Sequence, residues 1–276
     1  MVATLALGIP HTPWIPERVL SLTRLVDALS PAPPVMVARR VFGESEPNWS
    51  WAGKLWTWAT ETNATHLLQL QDDVVVGPEF WQALSAMVEA VPDQVIGLET
   101  VHPFAESLYR SGGTWLTTRD GLIGVGYVFP VGLLREFLRW RAETLRPNAV
   151  QQANEDQLIG IWTAATRRRV WHPVPTIIDH DTEISSTYGN DAHTHRRPVV
   201  TTVRGADWYA RWDALPASRE GRVPEGVTRG IRRSTWSDVS RAVHIDGTFY
   251  RETASLCRRW VKNFTVEDMA YVRGPA

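Results

Sequence analysis

Between residues 3 and 100, short apolar runs take turns with runs of helical period, and few folds accept that order. ATLALGI (3–9) reads as a strand. IPERVLSLTRLVDAL (15–29) sets Val19, Leu22, Leu25, Val26 and Leu29 at helical spacing, with Pro16 near the start, where proline is tolerated. After the breaker SPAPP come a strand VMVARRVF (35–42), a helix WSWAGKLWTWATETNA (49–64) and a strand THLLQLQ (65–71). A helix over 79–91 and a strand QVIGLET (94–100) close the series. Strands alternating with helices of this length predict βαβ units, hence an α/β fold with a mostly parallel central sheet flanked by helices.

The pattern then lapses. Residues 101–121 show no clean period, so a long loop is expected there, with Ser111-Gly112-Gly113 as a hinge or a point of close ligand approach. GLIGVGYVF (121–129) returns to strand-like character and PVGLLREFLRWR (130–141) to helix. The Gly124-x-Gly126 pair is a poor dinucleotide fingerprint, because a third glycine is missing and such a loop should follow the first strand.

The run LLQLQDDVVVGPEFW (67–81) places Asp72 and Asp73 where an apolar strand stops and Gly77-Pro78 breaks the chain. The carboxyl edge of an open α/β sheet is where ligands bind. Two neighbouring anions are costly to bury unpaired. A divalent cation with phosphate oxygens would resolve the conflict, since hard oxygen ligands suit Mg²⁺ or Mn²⁺. Capping of the turn, or a basic partner elsewhere in the chain, would resolve it equally well.

Two further segments carry chemistry. NEDQLIGIWTAATRRR (154–169) has Leu158, Ile161, Trp162 and Ala165 on one helical face, and Asn154 with Gln157 matches a capping pattern. Glu155 and Asp156 fall in the first turn, where the helix dipole alone favours them; a general base at a helix start is the functional alternative. VPTIIDHDTEISSTYGN (174–190) delivers Asp179, His180 and Asp181 after Ile177-Ile178, followed by Ser185-Ser186. Histidine beside carboxylates is a frequent metal-ligand pattern, although a lone histidine is more often structural.

Composition narrows the classes. The 276 residues, 43% hydrophobic and 21% charged, suit one large soluble domain or one domain with an appendage. MVATLALGIPHTPW has no basic leader and reads as a core strand, and nowhere do 18 apolar residues follow one another. Cys257 is the single cysteine, which excludes an intramolecular disulfide and a zinc–thiolate cluster and is compatible with the cytoplasm. Charge is uneven: residues 1–195 sum to −7 and residues 196–276 to +6, almost all of the latter from arginine. Such a segment meets a polyanion or docks on the acidic body of its own chain. Among the 14 tryptophans, Trp49, Trp51, Trp56 and Trp58 crowd one helix, most of them expected to pack in the core.

Taken in order, LQLQDDVVV, NEDQLIGIW and VPTIIDHDTEISS resemble the motifs of GT-A fold, nucleotide-sugar-dependent glycosyltransferases, closest to small bacteriophage and bacterial forms. The resemblance covers roughly residues 3–190, which implies a GT-A domain over 1–195, and the charge asymmetry leaves 196–276 as a basic, partly helical C-terminal extension for which acceptor binding is one expected role. It implies Asp73 and His180 as ligands of Mn²⁺ or Mg²⁺, and Asp156, with Glu155 as alternate, as catalytic base. Gln71, Asp72, Ser185 and Ser186 would contact the nucleoside-diphosphate sugar, a UDP-sugar. The usual Asp-x-Asp departs here to Gln71-Asp72-Asp73, which reduces the carboxylate count.

Inverting transfer of a hexose or pentose to an acceptor hydroxyl is the expected reaction. The phage-like resemblance and the arginine-rich segment point to duplex DNA bearing 5-hydroxymethylpyrimidines as acceptor, with the host-cell cytoplasm as location. A surface glycan or lipopolysaccharide is the alternative acceptor. A nucleotidyltransferase is disfavoured because GIPHTPWIPER follows the first strand with prolines where a phosphate loop has glycines, and a noncatalytic binding module remains a third reading.

Overall fold

In the computed structural model the described residues are 3–39, 48–100, 104–110, 114–118, 122, 124–144, 154–181, 184, 198, 200–206 and 220–222. The central strand β3 (His66–Leu70) shows why a sheet forms here: HLLQL is buried at all five positions, as a strand covered on both faces must be. Leu68 and Leu70 join Leu7, Ile9, Leu25 and Leu29 on one face, beneath Leu84, Met87 and Val88. Leu67 faces the opposite way, towards Trp56, Tyr127, Phe129, Phe137 and Trp162. The first face is covered by α1 (Pro16–Ala28) and α3 (Phe80–Ala90). The second is covered by α2 (Asn48–Glu61), α5 (Val131–Thr144) and α6 (Glu155–Ala165). Trp56 meets Phe137 edge-on at 5.1 Å between ring centres, and Phe129 stacks on Trp162 at 5.5 Å. Pairs of this kind add about 0.5–1.5 kcal/mol beyond the area they bury.

The other strands are β1 (Leu5–His11), β2 (Val35–Arg39), β4 (Val74–Val76), β5 (Val95–Gly97), β6 (Trp115–Thr118), β7 (Gly126–Pro130), β8 (Val170–Pro173), β9 (Ile178–His180) and β10 (Glu220–Arg222). Eight described strands form one sheet in the order β10-β6-β8-β5-β7-β3-β1-β2. Four of its pairings are parallel (β1 with β2, β1 with β3, β5 with β8, β6 with β10), and the other three are antiparallel. This is the α/β architecture with a mostly parallel sheet that the alternation predicts. β7 is the exception that matters, because it runs against β3 and brings the residues before Gly126 to the carboxyl edge of β3.

Two expectations need correction, and one strand was not foreseen. Residues 101–121 are not one long loop: α4 (Phe104–Arg110) and β6 lie within them, with Ala105, Leu108 and Leu116 sharing a small apolar cluster with Val174. The two elements are too short for a periodicity window of 11 or more residues to register. β8 follows Arg167-Arg168-Arg169 and spans four residues, so no strand signal preceded it. Helix α1 keeps Leu22, Leu25 and Leu29 of its expected face against the core, but it leaves Val19 and Val26 exposed and buries Arg18 and Ser21 instead. The hinge at Ser111-Gly112-Gly113 lies outside the described residues.

The described residues beyond 195 join this body through both strand pairing and a β-bridge. β10 pairs with β6, and Thr201 bridges Thr176 ahead of a 3-10 turn at Thr202–Arg204. The rest of the basic segment, including residues 207–219 and all from 223 on, lies outside the described residues.

Candidate active site

Asp72 and Asp73 occupy the turn between β3 and β4, and both are fully buried. The Gln71 amide donates to the Val125 carbonyl at 2.8 Å, and the Val74 amide donates to the Gln71 carbonyl at 3.3 Å, which closes the turn. Parallel pairing of β1 with β3 sets the end of β1 on the same edge, so His11 and Thr12 arrive beside Asp72. His11 Nδ1 lies 2.8 Å from Asp72 Oδ2, and the Thr12 amide donates to that oxygen at 2.7 Å. From the first turns of α1, Arg18 reaches both acids: Nη1 bonds Asp72 Oδ1, and Nη2 lies 2.6 Å from Asp73 Oδ2. A basic partner for the pair, one of the alternatives left open by the sequence, is therefore present.

That accounts for three of the four carboxylate oxygens. The fourth, Asp73 Oδ1, is buried with no hydrogen-bond partner. His180 Nε2 stands 3.7 Å from it. The histidine is brought there by a second, two-stranded sheet in which β4 pairs with β9, Val74 opposite His180. The Asp181 amide donates to the Asp73 carbonyl at 2.8 Å and ties the two chains together beyond the pairing. Strand alternation turns Asp179 away, and its Oδ2 meets Arg204 Nε at 3.1 Å.

Glu155 and Asp156 open α6. The Asn154 amide donates to Gln157 Oε1 at 2.9 Å, the return half of a capping box. Glu155 is buried, and its Oε1 accepts from Gln69 Nε2 at 3.1 Å. Gln69 pairs in register with Tyr127 across β3 and β7, and the Tyr127 hydroxyl accepts from Trp56 Nε1 at 2.9 Å. Burial, and next the negative charge of Glu155, hold the Tyr127 hydroxyl protonated well above its ordinary range. Asp156 is only half-buried and accepts the Gln157 amide on Oδ1 at 2.8 Å. Helix α6 meets the sheet edge at Gly124, where a Cβ would lie 3.2 Å from Glu155 Oε1 and 3.4 Å from Asp156 Cβ. The glycine of the poor GxG fingerprint thus serves close packing.

The structure brings Asp72, Asp73 and His180 together and sets Glu155 and Asp156 against the loop that enters β7 on that edge. Gln71 is half-buried at the turn. Ser185 and Ser186 lie outside the described residues. Sequence reasoning missed His11, Thr12, Arg18 and Gln69. The signal for the first two was available, since polar residues directly after β1 belong to the same edge as those after β3. Arg18 and Gln69 gave none, because each sits in a pattern that reads as ordinary helix or strand.

Comparison with known proteins adds little. No family model matches the chain. No curated protein matches it either. Among solved structures, the crystal structure of S. aureus TarS residues 1–349 in complex with UDP-GlcNAc is similar at a TM-score of 0.42 and 9% identity, over 93% of this chain and 72% of that one. A likeness this low assigns neither residues nor activity.

Among the described residues no group of three or more His, Cys, Asp or Glu side chains forms a metal centre. Two donors do converge, the bare Asp73 Oδ1 and His180 Nε2. A buried carboxylate oxygen with an imidazole beside it fits a divalent cation that takes its remaining ligands from a phosphate-bearing substrate, the usual habit of Mg²⁺ sites. Arg18 already offsets one of the two carboxylate charges, so the protein alone offers that cation little.

Proposed function

We propose that this chain is a metal-dependent glycosyltransferase that moves a sugar from a nucleoside-diphosphate sugar, a UDP-sugar, to an acceptor hydroxyl. The observation that carries the reading is the unsatisfied Asp73 Oδ1 facing His180 at the carboxyl edge of β3. Asp73 and His180 would hold Mn²⁺ or Mg²⁺, which supplies Lewis-acid stabilisation of the departing diphosphate when bound. Gln71 and Asp72 lie on the ribose side of the donor. Asp72 contributes mainly by orientation, since His11, Thr12 and Arg18 already hold its oxygens. By the motif resemblance, Ser185 and Ser186 would be further donor-binding residues.

Asp156 takes the proton of the attacking hydroxyl. It suits the role better than Glu155 because it is half-exposed at a helix start, whereas Glu155 is buried against Gln69. A single base opposite the leaving group leads to one in-line displacement with inversion at the anomeric carbon. The acceptor is a hydroxymethylated pyrimidine in duplex DNA, with a surface glycan or lipopolysaccharide as the second reading. A nucleotidyltransferase is disfavoured because the residues after β1 are committed to Asp72 and form no glycine-rich phosphate loop.

Nucleoside-diphosphate release from a panel of UDP-sugars, with and without Mn²⁺, tests the reaction. Calorimetric titration of UDP with Mn²⁺ tests the site: Asp73→Ala should abolish metal-dependent binding while the fold survives, and His180→Ala should weaken it less. Unchanged affinity in Asp73→Ala would remove Asp73 from the metal site. Should His180→Ala lower only the melting temperature, the histidine is structural.

A further inference from the structure

Arg18 takes no part in the transfer as derived above, yet it is the most deeply committed charge at the site. Its guanidinium is almost wholly buried and spans two successive carboxylates, one through each Nη. Each contact is a charge-assisted hydrogen bond, stronger than a neutral one, and the planar guanidinium fixes the spacing of the two carboxylates it bridges. Leaving two carboxylates buried side by side without a cation would be costly, so the guanidinium does electrostatic work that a divalent ion is usually recruited to do. Asp72, Asp73 and Arg18 together sum to one net negative charge, with His11 and His180 adding none while neutral. The carboxylate oxygen that remains, Asp73 Oδ1, belongs to the same group whose other oxygen the guanidinium holds.

We propose that Arg18 is a resident counter-ion that sets the divalent-cation affinity of the Asp73–His180 site, keeping it low until a diphosphate arrives. This rests on the reading of Asp73 and His180 as cation ligands. A divalent ion entering beside Asp73 is repelled by the guanidinium across one carboxylate, a distance at which unit charges interact strongly in a buried site. The nucleoside diphosphate brings negative charges that offset both cations. Cation and nucleotide therefore bind with positive coupling, and by linkage each raises the affinity of the other by the same factor. Arg18 acts through the carboxylates and is a positioning residue.

The test is titration of Mn²⁺, followed by the paramagnetic signal of the free ion, into wild type, Arg18→Gln and Arg18→Lys, with and without UDP. Wild type should bind Mn²⁺ weakly alone and much more tightly with UDP. Arg18→Gln should bind Mn²⁺ alone about tenfold more tightly or better, with the enhancement by UDP reduced to match. Arg18→Lys retains the charge and should stay near wild type. A purely structural arginine would give a variant that binds Mn²⁺ no better or worse, and that result overturns the proposal. Melting curves of Arg18→Gln guard against a folding defect: Mn²⁺ should stabilise the variant more than wild type, and absence of that gain counts against the proposal. The double variant Arg18→Gln with Asp72→Asn restores the single net charge and should return Mn²⁺ affinity to about that of wild type. A persisting gain there would mean that charge is not the cause. Asp73→Asn separates the layers. If it leaves wild-type Mn²⁺ binding untouched, the Asp73–His180 site itself is wrong. If it abolishes binding while Arg18→Gln changes nothing, only the role of Arg18 falls.

Discussion

Glu155 and Asp156 adjoin in sequence and live in opposite surroundings. Glu155 is locked inside the sheet interface by Gln69, with its charge felt by Tyr127. Asp156 stands half-exposed and accepts the Gln157 amide on Oδ1. A base contributes in the transition state and adds little ground-state binding, so Asp156→Asn should reduce turnover by about 10²–10⁴-fold with donor affinity nearly unchanged. Single-turnover kinetics at saturating donor provide the measurement. A variant keeping more than about a third of wild-type rate would contradict the assignment. Glu155→Gln is the control and should lose much less, because Gln preserves the contact with Gln69 while removing a charge that touches no substrate.

At the scale of elements, the position of α6 depends on the absence of a side chain at Gly124. The contact of about van der Waals distance to Glu155 and Asp156 leaves no room for a branched residue. Gly124→Val should push the helix start outward, and a shift of about 1 Å at a reacting group can cost about 10²-fold in rate. The expected signature is a fall in kcat with Mn²⁺-dependent UDP affinity retained; loss of both together would place Gly124 in the donor site instead. The same element explains what sequence could and could not say. The helix start at Asn154, the strand 65–71 and the acidic turn were legible because local periodicity and capping dictate them. The short β8 and the α4–β6 pair were not, since their stability comes from neighbours distant in sequence. Likewise α1 shows a helical stripe in sequence, of which Leu22, Leu25 and Leu29 pack inward while Val19 and Val26 stay exposed, and Arg18 shares the buried side to reach the carboxylates of the β3–β4 turn. The acids announced themselves, and their cationic partner could be found only through the parallel adjacency of β1 and β3.

For the whole molecule, charge distribution is what bears on the proposed acceptor. Residues 1–195 carry −7 and residues 196–276 carry +6, the latter with Arg229, Arg232, Arg233, Arg258 and Arg259 interleaved with Trp236 and Trp260. Arginines contact backbone phosphates, and an aromatic ring can take the place of a stacking partner when a nucleotide is flipped out. For the proposed DNA acceptor, flipping would carry the 5-hydroxymethyl group from the major groove to the carboxyl edge of the sheet. The prediction is that duplex DNA containing 5-hydroxymethylcytosine or 5-hydroxymethyluracil accepts a sugar from a UDP-sugar, seen as a hexosylated or pentosylated nucleoside by mass after digestion. Affinity for that DNA should fall with salt, with a log–log slope of about −0.9 for each phosphate contacted. Basic segments also meet anionic lipid surfaces, so vesicles containing phosphatidylserine belong in the same experiment. No modified nucleoside with any donor, together with DNA binding that is absent or indifferent to salt, eliminates the DNA acceptor. Transfer to a lipopolysaccharide or glycan acceptor under the same conditions would then leave the catalytic reading standing and reassign the basic segment.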